Sequence, residues 1–278
     1  MATFYEVLTQ AVSEFSTNGF EGEEQLAEWV RRIREAAERD MVDPRTLEAE
    51  MAASFRTIFD NMVDKGGILR YHDGLPAWRL AQLKPRLRPL LDRRIMANAD
   101  LIKLNRTRAI ETTMQRFSGW ATSIPAGGSK VVDKVETKSN IRKALARLPF
   151  EERRVLIDQG HKFVGDLNNI IAVDGGAIAG EWHSHFRQAG YNYRPDHKER
   201  DGKFYMIPGN WALEKGFAKA MDGQWIDRIT RVGEEIFCRC SMRFIYNIRG
   251  LPDEMLTVKG RDELARVRAV IKSRFSAT

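Results

Sequence analysis

Two periodicities divide this chain. Up to about residue 120, apolar residues recur every three or four positions, whereas beyond about Ala177 they come in short runs bounded by Gly, Pro, Asn and Asp. In the first half, residues 23–39 place Leu26, Trp29, Val30 and Ile33 on one side of a predicted helix. In DPRTLEAEMAASFRTIFDNMVDKGG, Asp43 is a good N-cap, Pro44 sits in the first turn where a missing N–H costs nothing, and Gly66-Gly67 ends the element. Leu47, Met51, Phe55, Ile58, Phe59 and Met62 share a face of that helix. Stripes of this kind are core or helix-partner surface and carry no chemistry.

Residues 83–117 open on a proline-punctuated basic stretch and continue as a predicted long helix from about Leu90. The run SIPAGGSKVVDKVETKSN then has few large apolar residues and reads as a loop or boundary. Two helices are expected next, one after Ser139 and one from about Phe150 to Ile171, ended by the turn Asp174-Gly175-Gly176. The short apolar pieces AIAGEW, KFYMI, EEIFCRC and MRFIYNI predict strands, and a helix resumes at about Gly260 to Phe275 with Leu264, Val267, Val270 and Ile271 on one side. The expected fold class is α+β, a helical N-terminal region followed by a compact mixed α/β domain with short strands. The expected layout is a helical docking region over 1–121, a linker over 122–138, the mixed domain over 139–250 and a terminal helical segment over 251–278.

Composition narrows the function classes. With 278 residues, 43% of them hydrophobic, the chain can bury a proper core. It has no apolar run of the length a membrane span needs, and its first residues lack a basic start followed by an apolar stretch, so a non-secreted protein without membrane contact is expected. Its only cysteines, Cys238 and Cys240, are one residue apart, where an intrachain disulfide is strained, which suits a reducing compartment. The net charge of +7 favours acidic partners. Lys84, Arg86, Arg88, Arg93, Arg94, Lys103, Arg106 and Arg108 stand against only Asp92 and Asp100. They form either a solvated helix face or a surface, centred on Arg86, Arg88, Arg93 and Arg94, that meets DNA phosphates or an acidic protein. No aromatic is interleaved among them, so base stacking is not indicated.

Three pieces in the second half, GGAIAGEWHSHF, YNYRPDHKERDGKFYMI and GEEIFCRCSMRF, carry Trp182, Arg194, His197, Asp201, Gly202, Cys238, Arg239 and Cys240 in that order. Their sequence of a tryptophan strand, Arg-x-x-His, Asp-Gly four residues on and then Cys-Arg-Cys resembles the Mu-F-like phage head morphogenesis family, the minor head proteins of tailed phages. The resemblance covers roughly residues 150 to 246. NWALEKGFAKAMDGQWIDRI departs from the pattern as an insertion with a helical turn. The resemblance implies a non-enzymatic virion component in the head, present in the host cytoplasm during assembly. Its implied partners are the portal, the major capsid or scaffold proteins and packaged double-stranded DNA.

Read as chemistry, His197, Cys238 and Cys240 could supply three positions of a zinc site, with His183, His185 or Asp201 as the fourth. The bland alternative is a buried thiol pair beside a hydrogen-bonded histidine, and the expected cofactor complement is none, with zinc as the alternative. On a strand, residues two apart share a face, so both thiols would look into one pocket and Arg239 away from it. Arg194 and Arg239 are expected to lock a turn through a carboxylate such as Asp201 or Glu235. The competing functional readings are a basic nucleic-acid-binding protein and a metal-dependent nuclease. The nuclease reading, prompted by a resemblance to His-Asn-His enzymes, requires a further downstream histidine, and none follows His197. Ser184 lies between histidines and not in a glycine-framed nucleophile elbow, and there is no phosphate loop of the Walker type.

Overall fold

A computed structural model describes residues 1–275. The fold is α+β, with a helical N-terminal region and one small four-stranded sheet. It divides into two compact units, each built from two stretches of chain: residues 1–52 with 95–156, and residues 53–94 with 157–278, of which 276–278, the end of the expected terminal segment, lie outside the described residues. The units therefore part at other places than the expected 122–138 linker.

The first unit is helical. It holds α1 (Phe4–Asn18), α2 (Glu23–Asp40), the start of α3 (Pro44–Phe59), α4 (Ala77–Thr122) from residue 95 on, and α5 (Lys134–Gly175) up to residue 156. Thr3 caps α1 and Glu6 answers it in a reciprocal capping box. Leu8, Phe15, Trp29, Ile33, Phe117 and Ile141 form its core, as the stripe of α2 predicts. Residues 123–133 are the turn from α4 to α5. Their backbone is tied to the end of α1: Gly127 N–H donates to Asn18 O at 2.8 Å and Ser129 N–H to Ser16 O at 2.9 Å. A segment poor in apolar side chains is thus held by main-chain hydrogen bonds, which composition does not reveal.

The second unit takes the remainder of α3, a π-turn over 60–64, β1 (His72–Asp73), α4 up to residue 94 and α5 from residue 157. After these come β2 (Ala179–His183), α6 (Pro195–Glu199), β3 (Phe204–Met206), α7 (Trp211–Glu214), β4 (Ser241–Ile245) and α8 (Val258–Phe275). The expected helical turn of the insertion is α7, capped by the Asn210 side chain, which accepts from the N–H groups of Ala212 and Leu213. The sheet order is β1-β4-β2-β3; β1 runs parallel to β4, and β2 is antiparallel to both β4 and β3.

Two helices differ from expectation. α4 begins at Ala77 and passes through Pro85 and Pro89, and α5 passes through Pro149 as one helix where two were expected. Each internal proline costs a helix about 3 kcal/mol. Around Pro85 and Pro89, the buried Leu80, Leu83, Leu87, Leu90 and Leu91 recur at helical spacing and bury enough apolar surface to outweigh it.

The strands alternate. Tyr205, Met242 and Phe244 face a core with Trp182 and the two cysteines, while Ala179, Met206 and Ile245 face another with Ile178, Met255 and Leu256. EEIFCRC is not a strand but a series of turns entering β4. Gly165 on α5 admits the turn that leads into this segment, since a Cβ there would stand 2.3 Å from the Val232 carbonyl oxygen. Among the described residues no helix is long and apolar enough to cross a membrane.

Candidate functional site

The local sequence of α6 explains how His197 reaches the interior. Arg194 is extended, Pro195 opens the helix where its fixed φ is harmless, and the single turn then directs His197 inward while Asp196, Lys198 and Glu199 remain exposed. His197 is 2% exposed. Its ring meets Trp182 edge-on at 5.2 Å, and Trp182 is itself fully buried on β2.

The turn after α6 is fastened to the same strand. Gly202 N–H donates to Trp182 O at 2.8 Å and Trp182 N–H to Lys203 O at 2.9 Å. Gly202 has φ +75°, a conformation that favours glycine. Asp201 accepts from Ser184 N–H at 2.8 Å and pairs with Arg187 at 3.4 Å. That use of its carboxylate removes Asp201 as partner for Arg194 or Arg239 and as a candidate fourth ligand.

The thiols come from the third segment. Cys238 Sγ lies 3.7 Å and Cys240 Sγ 3.6 Å from His197 Nδ1, and the cysteines are 1% and 8% exposed. Strand alternation, which was the expected reason for both sulfurs facing one way, does not apply to this turn. Phe237 precedes Cys238 with φ +60°, the only left-handed non-glycine among the described residues. Its N–H donates to Asp158 Oδ1 at 2.5 Å, and its carbonyl accepts from Tyr191 Oη at 3.1 Å. Those two bonds hold a conformation that costs an L-residue about 1 kcal/mol or more.

Glu235 closes the other side of the ring. One carboxylate oxygen pairs with Arg194, whose guanidinium also donates to Ile236 O at 3.0 Å, and the second stands 3.5 Å from His197 Nε2. Nε2 is buried and makes no hydrogen bond in this structure. Arg194 thus has the expected turn-locking role, with Glu235 as its partner, while Arg239 lies over the Tyr191 ring at 5.8 Å. Arg200, unassigned by sequence, covers Trp182 at 5.1 Å and pairs with Asp196 at 2.7 Å.

Electrostatics distinguish the two thiols. A hydrogen bond from Cys240, helped by the backbone N–H groups of Gly233 and Cys240 and by His197, pulls the Cys238 thiol down to about 5. The same sharing of one proton, with burial, pushes the Cys240 thiol up. The opposite directions belong to the pair, which shares a proton between its two sulfurs.

Compared with family models, with curated proteins and with solved structures, the chain matches none.

Trp182, Arg194, His197, Asp201, Gly202, Cys238, Arg239 and Cys240 all belong to this cluster or its fastening turns. His183 and His185 do not. β2 ends at His183, which is near Glu181 at 3.4 Å, and His185 turns away to Gln188. Among the described residues, those whose ligand atoms gather within 4.8 Å of one another around the thiols are His197, Cys238 and Cys240. Sequence reasoning missed Asp158, Tyr191 and Phe237. Nothing in the sequence marks a phenylalanine for a left-handed turn, and Asp158 reaches it from 79 residues away.

The basic stretch on α4 is largely engaged within the chain. Lys84 pairs with Asp64 at 3.0 Å, Arg86 with Asp174 at 2.9 Å, and Arg94 is half-buried against Asp166 and Gln159. Arg106 is held by Glu152 at 2.6 Å. Arg88 and Arg93 are exposed, Arg88 lying 5.9 Å from the Phe59 ring centre.

Proposed function

We propose that this chain is a phage minor head protein. In this reading it is a structural component of the virion head that acts in head morphogenesis beside the portal and other capsid or scaffold proteins, accompanies packaged DNA, and catalyses no reaction. The observation that carries the reading is convergence. The three segments on which the resemblance rests, around Trp182, over 194–202 and over 238–240, fold against one another about a single histidine. A motif set that defines a packing hub is expected to meet in this way.

Burial supports a structural role over a catalytic one. His197, Cys238 and Cys240 are closed off by Trp182 and by the turns that carry them, whereas a general base or nucleophile must reach its substrate. The exposed Arg86, Arg88 and Arg93 are the candidate contacts with other head components or DNA, and Arg94 is committed to Asp166. The apolar side of α4 offers no docking stripe at Leu90, Leu91, Ile102 and Ile110, because these side chains are buried in the chain's own cores.

Quantitative mass spectrometry of purified heads tests the reading. Presence of this chain at a fixed ratio to portal subunits is expected; heads that assemble at normal yield and lack it would overturn the assignment. Retention on DNA that falls steeply with salt, without incorporation into heads, would favour the nucleic-acid-binding reading.

A further inference from the structure

We propose that His197 Nδ1, Cys238 Sγ and Cys240 Sγ bind one zinc ion, with Glu235 as the outer partner of His197 and a fourth position beside Ser184 for water or an outside donor. The inference is independent of the head assignment: a metal-free virion protein would keep that reading and lose this one.

Donor chemistry and spacing support it together. Two thiolates and one imidazole suit zinc among the common divalent ions. With zinc–sulfur bonds of about 2.3 Å, zinc–nitrogen bonds of about 2.0 Å and tetrahedral angles, the nitrogen-to-sulfur edge is about 3.5 Å. The observed edges are 3.7 and 3.6 Å. Both edges are thus within a few tenths of an ångström of that value, and all three donor atoms lie within 4.8 Å of one another.

The surroundings are those of a thiolate ligand pair. The N–H groups of Gly233 and Cys240 point at the Cys238 sulfur and that of His185 at the Cys240 sulfur, and hydrogen bonds of this kind favour the charged form. Zinc bound at Nδ1 fixes the ring proton on Nε2, the buried atom that faces Glu235 Oε1 at 3.5 Å without a hydrogen bond. A carboxylate behind a ligating histidine orients the ring and raises its basicity. On binding, the remaining thiol proton leaves to solvent and the site holds two thiolates and a neutral imidazole. Ser184 Oγ lies 4.0 Å from Cys240 Sγ, so a small polar group stands beside this ligand. The alternative fate of the pair, a disulfide across one residue, is strained, and both cysteines are free thiols.

The test uses the full chain, purified reduced and without chelator, then loaded with zinc and dialysed. About one zinc per chain is expected. Less than about a tenth of an equivalent after loading would overturn the site. Titration of the zinc-free protein with Co2+ should produce a thiolate-to-cobalt charge-transfer band in the near ultraviolet; cobalt binding without that band would also overturn it. Bound zinc should shield both thiols from alkylation, and equal alkylation rates with and without zinc would contradict the proposal. These readouts use the wild-type chain, so they stand even if Cys240→Ser fails to fold. Glu235→Gln, at a half-buried position, should retain the site but weaken zinc binding by about 10- to 100-fold, and unchanged affinity would remove Glu235 from the proposal.

Discussion

Glu235 stands between Arg194 and His197, pairing with Arg194 through one oxygen and facing His197 Nε2 at 3.5 Å with the other. The Arg194 pair is partly open to solvent, so its contribution is modest, on the order of 1 kcal/mol or less. Glu235→Ala should therefore lower stability by about that amount, and Arg194→Ala combined with it should add little, because both remove the same pair. Denaturant unfolding of the two single variants and the double variant measures this. Fully additive losses would show that Glu235 and Arg194 act separately.

His72 gives the second unit a dependence on pH. Its ring is 1% exposed, stacks on Phe244 at 5.2 Å, and hydrogen-bonds Asn168 at 2.9 Å and Tyr246 at 2.7 Å. Burial pulls His72 from 6.5 down to about 4. Tyr246, whose hydroxyl burial pushes up, is neutral throughout this range. Between these values the unfolded chain binds a proton that the folded chain refuses, so the contribution of neutral His72 is complete above about pH 6.5 and is lost as pH falls towards 4. The loss amounts to at most about 3 kcal/mol. His72→Gln should flatten the stability profile across this window, and an unchanged slope would assign the acid sensitivity to other groups.

Phe237 tests whether the cysteine turn is conformationally demanding. At φ +60°, asparagine is tolerated and a β-branched residue is not. Phe237→Val should cost about 1 kcal/mol or more beyond Phe237→Asn, read as a larger fall in melting temperature. Equal losses would mean that the side chain matters more than the backbone.

The arginines of α4 should separate into two classes. Arg94 is half-buried and hydrogen-bonded to Asp166 and Gln159, so Arg94→Ser should destabilise the protein by about 1–3 kcal/mol through the partners it leaves unmatched. Arg88→Ser with Arg93→Ser, at exposed positions, should leave stability within about 0.5 kcal/mol. The pair of substitutions can then be scored for incorporation into heads and for DNA retention without the confusion of misfolding. A double variant that unfolds would show that these residues belong to the structure.

Much of the architecture was legible because it rests on periodicity. Trp29 and Ile33, with Leu26 partly buried beside them, and Met51, Phe55 and Phe59 are buried as helical spacing requires. The gathering of His197, Cys238 and Cys240 was legible from the order of unusual residues, although strand alternation is not what brings the two sulfurs together. Cys238 and Cys240 face one histidine because Phe237 turns left-handed under the hold of Asp158, and no local pattern encodes a bond that spans so much chain. The full length of α4 and the continuity of α5 are not legible, because a proline signals a break, whereas the burial that carries α4 through Pro85 and Pro89 exists only in the folded chain. β1 is two residues long and exists only through its pairing with Phe244 and Ile245, so its own sequence carries no strand signal. The stretch at 123–133 read as a linker because its restraints are main-chain hydrogen bonds.

The account turns on His197 and the thiols forming one site, and a double-mutant cycle of His197→Ala and Cys240→Ser in the same chain tests that most directly. Residues in contact couple, so the double variant should depart from the sum of the single losses by about 0.5–3 kcal/mol, measured by denaturant unfolding under reducing conditions. Losses that add to within about 0.3 kcal/mol would contradict the shared site, and with it the convergence on which the functional reading stands.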